Sequence, residues 1–332
     1  MVIEKFRREH IESAAKLLVE NYEEERKSVP ALPENDYFDR FCALISDGAE
    51  NNHGVAALQS GELVGFISGI WCIDAFKGIN RAAYCPIHAH GAKGDKNDIY
   101  QRMYENIADI WVKNGCLTHA LTVFAHDKIT IDTWFNLGFG NMCVDAIRPL
   151  TDVSGNKKNS CNSRFTIRPA TQDDAELLLP LMQAHDRYYA SSPLFMPVFG
   201  ITKLSDININ TTSKSITFIA LDNNNGTPVG ILDVGVKDAT FVDEDEKTLH
   251  LSGAYIAEEA RGMGLGAALL QSAVEWLRDN GYERFYVDYE SFNRFGSRFY
   301  DKHFTPFAYS IFRKLDERIT WANADRFNGI VL

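Results

Sequence analysis

Residues 249–281 read LHLSGAYIAEEARGMGLGAALLQSAVEWLRDNG, and the order of elements in this stretch decides the fold of the second half of the chain. Leu249 to Ile256 alternates enough to be a β-strand. A glycine turn follows, Arg261-Gly262-Met263-Gly264-Leu265-Gly266. Leu265, Leu269, Ala273 and Leu277 then recur at helical spacing, with Ala268, Ser272 and Trp276 beside them. Gly281 stands where the residue just past a helix belongs. Such a turn suits a bulky anion. Glycines let the backbone approach it without a Cβ in the way. The unpaired N–H groups of the first helical turn point at it, and the helix dipole adds a favourable partial charge. Arg261 is placed to contact a phosphate or to brace the loop.

Two other phosphate-binding patterns have to be weighed. Gly262-Met263-Gly264-Leu265-Gly266-Ala267 also satisfies the dinucleotide pattern G-x-G-x-x-A, with Asp288 near the ribose-binding distance. That fold sets its turn after the first strand and then needs further βα units. Here much of the domain precedes the turn, and residues 289–332 leave no room for the remaining sheet. A Walker-type loop fails because no Gly-Lys-Ser/Thr follows.

Working outward, Thr151 to Ser163 (TDVSGNKKNSCNS) is polar, small and rich in turn formers, so it reads as a linker. The stretches on either side open alike. Residues 3–19 and 165–181 each give a short strand, a polar turn and a helix with apolar residues at helical spacing; Thr171 is the expected N-cap of the second. They also close alike, residues 117–139 and 284–304 each giving a strand, a turn and a short helix. Between lie hairpin candidates, Gly54–Leu58 with Leu63–Trp71 and Ile216–Asp222 with Pro228–Val236. The chain is thus an internal duplication of a mixed α+β domain, 1–150 and 164–332. Glu317 to Leu332 reads as a pairing strand or a tail.

The net charge of −11 is divided evenly, and no segment has the basic surplus that binding a nucleic-acid backbone demands. An acidic surface favours a cationic substrate. The six cysteines are scattered, without C-x-x-C, and read as reduced thiols. His88, His90, His119 and His126 lack the close carboxylates of a metal site, so no metal is expected. There is no secretory leader pattern and no apolar run of about 20 residues, so a cytoplasmic protein away from the membrane is expected.

The glycine turn resembles the central signature of the GNAT acetyltransferase superfamily, R/Q-x-x-G-x-G/A at the start of a helix. The block Asn293-Arg294-Phe295-Gly296-Ser297-Arg298-Phe299-Tyr300, with Phe304, resembles the family's N-x-x-A/G-x-x-F-Y block, although His303 replaces its usual closing glycine. The resemblance covers about residues 164–316. It implies an α+β fold of α/β/α layers: two tandem GNAT-like domains, each a mixed, mostly antiparallel sheet flanked by helices. It also implies acetyl-CoA as co-substrate and N-acetylation of a small-molecule or peptide amine by direct attack. Under it, Ile256, Ala257 and Glu258 bind the pantetheine arm. Arg261, Gly262, Met263, Gly264, Leu265, Gly266 and Ala267 hold the pyrophosphate, Asn293 fixes the cofactor, and Tyr300 protonates the departing thiolate.

A base must also take a proton from the amine, whose unperturbed pKa is near 10. Candidates are Asp233, His250, Asp288 and Glu290. An acetyl-CoA sensor without turnover is the competing reading, and a homodimer is left open. In the first half the turn position reads His88-Ala89-His90-Gly91-Ala92-Lys93-Gly94-Asp95-Lys96-Asn97-Asp98-Ile99. No Arg or Gln leads it, Asp95 and Asp98 would repel pyrophosphate, and Phe135 stands where the Tyr belongs. The first copy is therefore expected to be degenerate and not to bind acetyl-CoA.

Overall fold

The structure, a computed structural model, describes residues 1–51, 54–73, 80–150, 163–237 and 240–323. The first part of the chain carries β1 (Val2–Lys5), α1 (Ile11–Ser28), α2 (Phe38–Asn51), β2 (Val55–Gln59), β3 (Glu62–Ile67), β4 (Ile70–Ile73), β5 (Arg81–Cys85), β6 (His90–Ala92), α3 (Lys96–Lys113), β7 (Cys116–Phe124), α4 (Lys128–Asn136) and β8 (Gly140–Pro149). There follow β9 (Phe165–Pro169), α5 (Ala175–Ala190), β10 (Ile216–Asp222), β11 (Pro228–Gly235), β12 (Thr248–Ile256), α6 (Leu265–Asp279), β13 (Arg284–Glu290), α7 (Arg294–Tyr300), β14 (Thr305–Lys314) and α8 (Ile319–Ala322).

The chain divides into two compact units, but not at the linker. Unit 1 is Met1–Asp145 together with Pro306–Leu332, and unit 2 is Ala146–Thr305. These units differ at both ends from the repeat bounds 1–150 and 164–332 read in the sequence. Thr151–Ser163 lies outside the described residues except for Ser163, and the tail is described only to Asn323. The reason for the discontinuity is strand pairing. β14 pairs antiparallel with β7, from Ala308↔Phe124 to Lys314↔Thr118. Every residue of β7 is buried, and Ile311 of β14 joins a core with Met103, Ile107, Leu121, Val123 and Trp134. A side chain of that kind stabilises by about 1.5–3 kcal/mol when fully buried.

Unit 1 holds a four-stranded antiparallel sheet, β1-β2-β3-β6, and a second run, β4-β5-β7-β14, parallel only at β5–β7. The hairpin expected over Leu63–Trp71 is shorter than the pattern suggests. β3 ends at Ile67, and the chain crosses to the other sheet through Ser68 and Gly69. A Cβ at Gly69 would meet Cys85 Sγ and the Tyr84 carbonyl oxygen, each at 2.8 Å.

The histidines of unit 1 have structural partners. His90 Nδ1 lies 3.0 Å from the Tyr100 hydroxyl, His119 Nδ1 2.7 Å from that of Tyr104, and His126 Nδ1 2.7 Å from Glu25 Oε1. Burial pushes His90 down to about 4 and His119 to about 3, so both rings are neutral at neutral pH. At the start of α3 the Asp95 side chain accepts the Asp98 amide at 3.3 Å, so a carboxylate already sits at that helix N-terminus.

Unit 2 has the strand order β13-β12-β11-β10-β9, antiparallel throughout except for β12–β13. α6 lays Leu265, Leu269, Ala273 and Leu277 inward as the stripe predicted, and Gly281 has φ +83° just beyond its end. Thr171 opens a 3-10 turn over Gln172–Asp174 rather than α5 itself, with its amide donating to Asp174 Oδ2 at 2.9 Å.

Candidate functional site

The sheet of unit 2 opens where the site forms. Among the described residues, β12 and β13 pair from Thr248↔Arg284 to Leu251↔Val287 and no further, although β12 runs on to Ile256 and β13 to Glu290. Between β11 and β12 the register passes from Asp233↔Gly253 to Val234↔Leu251, which makes Ser252 the extra residue of a β-bulge. A cavity of about 560 Å³ follows the opening and reaches the first turns of α6 and α7.

The glycine turn forms one wall. Gly262 has φ +75° and Gly264 φ +80°, and a Cβ on either would meet nothing within 4 Å. Conformation, not crowding, requires glycine here. Gly264 is the N-cap of α6 and has no side chain to satisfy the first-turn amides of Leu265, Gly266 and Ala267, which line the cavity. At Gly266 a Cβ would lie 3.3 Å from the Phe299 ring, so α7 comes up against that first turn.

Arg261 braces the loop. Its Nε donates to the Ile256 carbonyl oxygen at 3.1 Å. Its guanidinium lies 4.9 Å from the Phe295 ring centre, 5.0 Å from that of Tyr188 and 5.7 Å from that of Tyr255. Such contacts over an aromatic face favour a cation.

Asn293 is the N-cap of α7. Its Oδ1 accepts the Gly296 amide at 3.1 Å and the Tyr188 hydroxyl at 2.6 Å. Tyr300, 9% exposed, ends α7 and lines the cavity. Burial raises its phenol well above the ordinary range, and the charges of Asp288 and Glu290 raise it further.

A second cavity of about 350 Å³ is lined by Tyr189, Val236, Lys237, His250, Ser252, Asp288 and Glu290. Tyr189, Ser252 and Asp288 also line the larger one. Burial opposes ionisation of Asp288, but hydrogen bonds from His250 Nε2, at 2.7 Å, and from Lys237 Nζ outweigh it and hold the carboxyl well below its usual range. His250 is buried beside the Tyr286 ring, with Nδ1 3.4 Å from Ser252 Oγ. The Tyr189 hydroxyl donates to Glu290 Oε2 at 3.2 Å.

The structure therefore brings Ile256, Arg261, Gly262, Gly264, Leu265, Gly266, Ala267, Asn293 and Tyr300 to one cavity. Ala257, Glu258 and Met263 do not line it. The Ala257 amide is spent on the Val229 carbonyl at 2.9 Å, Glu258 is exposed, and Met263 turns outward toward Arg164. Asp233 lines neither cavity. It accepts the Thr217 hydroxyl at 2.6 Å, and burial raises its carboxyl. Sequence reasoning missed His185 of α5, which lines the larger cavity together with Tyr188 and Tyr189 of the same helix. The available signal was spacing: His185 and Tyr189 share a helix face, and their rings lie 4.6 Å apart.

Residues 184–304 match the model of the acetyltransferase (GNAT) family. Unit 2 is a GNAT domain. That match ends at Phe304 and contains the glycine turn, the opened strands and α7. The two-domain fold is similar to that of a GCN5-related N-acetyltransferase from Sphaerobacter thermophilus, over 94% of this chain and 95% of that one, at 12% identity and a TM-score of 0.53. A tandem GNAT protein from the clavulanic acid biosynthesis pathway aligns over 94% of this chain and 98% of its own, at 11% identity and a TM-score of 0.45. No curated protein matches the sequence. At such identities the likeness to solved structures is one of fold, and the chemistry of the GNAT domain rests on its own residues.

Proposed function

We propose that unit 2 transfers the acetyl group of acetyl-CoA to a primary amine by direct attack. The observation that carries this reading is a single cavity joining the side-chain-free N-terminus of α6 to the buried Tyr300 phenol. The residues fit the co-substrate. First-turn amides of α6 and the open space over Gly262 and Gly264 suit a pyrophosphate, and the parted edges of β12 and β13 leave backbone groups for an amide-bearing arm.

Within this reading each residue has a task. Arg261 and Asn293 hold the walls by their contacts to Ile256, Tyr188 and Gly296. Tyr300 keeps its proton through the neutral range and gives it to the leaving sulfur. Asp288 and Glu290 favour a cationic acceptor in the second cavity, and His250, oriented by Asp288, takes the amine's proton through water. Asp233 is set aside as the base, because it lines neither cavity. A sensor would need the glycine turn but not a phenol in the same cavity, which favours turnover.

The test is thiol release from acetyl-CoA with a panel of amines. Tyr300→Phe is expected to lower kcat about 100-fold, within the usual range for a lost general acid, while acetyl-CoA binding is kept. Unchanged turnover would remove the phenol from the mechanism. Binding without turnover for every amine would leave the sensor reading.

A further inference from the structure

The junction of the two cavities holds a hydroxyl that acetyl transfer to an amine does not need. Ser252 is the bulged residue of β12, exposed, and it lines both cavities. Two residues earlier on the same strand face, His250 sets Nδ1 3.4 Å from Ser252 Oγ. On the neighbouring strand Asp288 accepts from His250 Nε2 at 2.7 Å and also from Lys237.

The protonation pattern follows from these partners. Asp288 is ionised and can only accept, so Nε2 is the ring nitrogen that carries a hydrogen toward it, which leaves Nδ1 as the acceptor when the ring holds a single proton. The Nδ1 lone pair then faces the Ser252 hydroxyl. A hydroxyl, an imidazole and a carboxylate in series are the parts of an activated nucleophile, and the hydroxyl–imidazole contact in such sets is commonly long without substrate. Lys237 donates to the same carboxylate oxygen, Oδ1, and helps to keep it charged.

We propose that Ser252, His250 and Asp288 act as nucleophile, base and orienting carboxylate that cleave the acetyl thioester when no amine is present. The proposal rests on the acetyl-CoA reading of the larger cavity. Ser252 Oγ bonds to the thioester carbon while its proton passes to His250 Nδ1. The carbon–sulfur bond breaks, and the sulfur leaves as the thiol with the Tyr300 proton, which His250 restores to the phenol through solvent. Water then attacks the serine ester, giving a proton to His250. The ester Oγ–carbon bond breaks, Ser252 recovers that proton, and acetate departs. The product carboxyl gives its own proton to solvent, so the net change is thioester and water to acetate, thiol and one proton, with no other reactant.

The experiment incubates the full chain with acetyl-CoA alone, quenches it in acid and maps the acetyl group by peptide mass spectrometry. Thiol release is followed in parallel. Acetylation is expected on Ser252, and Ser252→Ala is expected to lower amine-independent release about 100-fold or more. Ser252→Cys supplies a second capture, since an acetyl group on sulfur survives acid. Thermal shift by CoA reports binding in each variant. Binding without a label at position 252 in either the wild type or Ser252→Cys, or release unchanged in Ser252→Ala, overturns the proposal alone. Absence of any CoA shift in the wild type overturns the acetyl-CoA reading, and this proposal with it.

Discussion

The Tyr188 hydroxyl donates to Asn293 Oδ1 at 2.6 Å, and the same oxygen accepts the Gly296 amide at 3.1 Å. One side-chain atom thus ties the end of α5 to the first turn of α7, and all three residues line the cavity. Asn293→Ala removes the cap and leaves the hydroxyl without its acceptor. It is expected to cost about 1–2 kcal/mol in urea unfolding. Acetyl-CoA affinity should fall with it. A variant of wild-type stability would show the tie to be slack.

Gly264→Ala tests the turn. With φ +80° and open space around it, the cost is conformational, about 1–2 kcal/mol. The added methyl also stands at the helix end where the first-turn amides face the cavity. Calorimetric titration is expected to show a weakened CoA affinity beyond the stability loss, and equal affinity would move the pyrophosphate elsewhere.

Arg261→Lys keeps the charge but loses the Nε bond to Ile256 and the planar face against Phe295, Tyr188 and Tyr255. The loss is about 1 kcal/mol, read as a lower Tm. If Arg261 instead held a phosphate as a point charge, Lys would preserve CoA affinity at full strength.

The Arg168–Asp174 pair fixes a pH dependence. The Asp174 carboxyl is held at about 2, below its unperturbed 3.8, first by hydrogen bonds from Arg168, at 2.7 and 2.8 Å, and also by the Thr171 amide. A lowered folded-state pKa means that the pair stabilises fully above about pH 4 and is lost as pH falls through 2. Wild type is therefore expected to melt above Asp174→Asn at pH 6 and to converge with it near pH 2. A constant gap across that range would assign the effect to packing.

Tyr300 makes the opposite kind of statement. Its raised phenol pKa keeps the proton on oxygen past pH 10, so kcat should show no alkaline fall that Tyr300→Phe abolishes. Such a fall would mean that the phenol is wet.

Much of unit 2 was legible because its signals are local. The α6 stripe, the positive φ demanded at Gly264 and the Asn293 cap are set by residues within a few positions of one another. What stayed hidden is non-local. Nothing within residues 305–314 states that the strand pairs with β7, nearly two hundred residues earlier. The partner of the Ala257 amide was hidden for a similar reason, since Val229 on another strand takes it. Beyond its spacing from Tyr189, nothing near His185 in the sequence marks it for the site, and only the fold sets it at the cavity. Asp233 looked like a base until the register put its carboxylate against Thr217.

The discontinuity of unit 1 sets an order of events on the ribosome. The N-terminal core waits for a strand made only after the whole of unit 2 has been translated. Until then the β7 edge, with Leu121 and Val123, lies open, a surface that other nascent chains can pair with. Gene fragments cut at the polar stretch 151–163 would carry that open edge permanently, whereas the longer chain closes it once β14 has emerged.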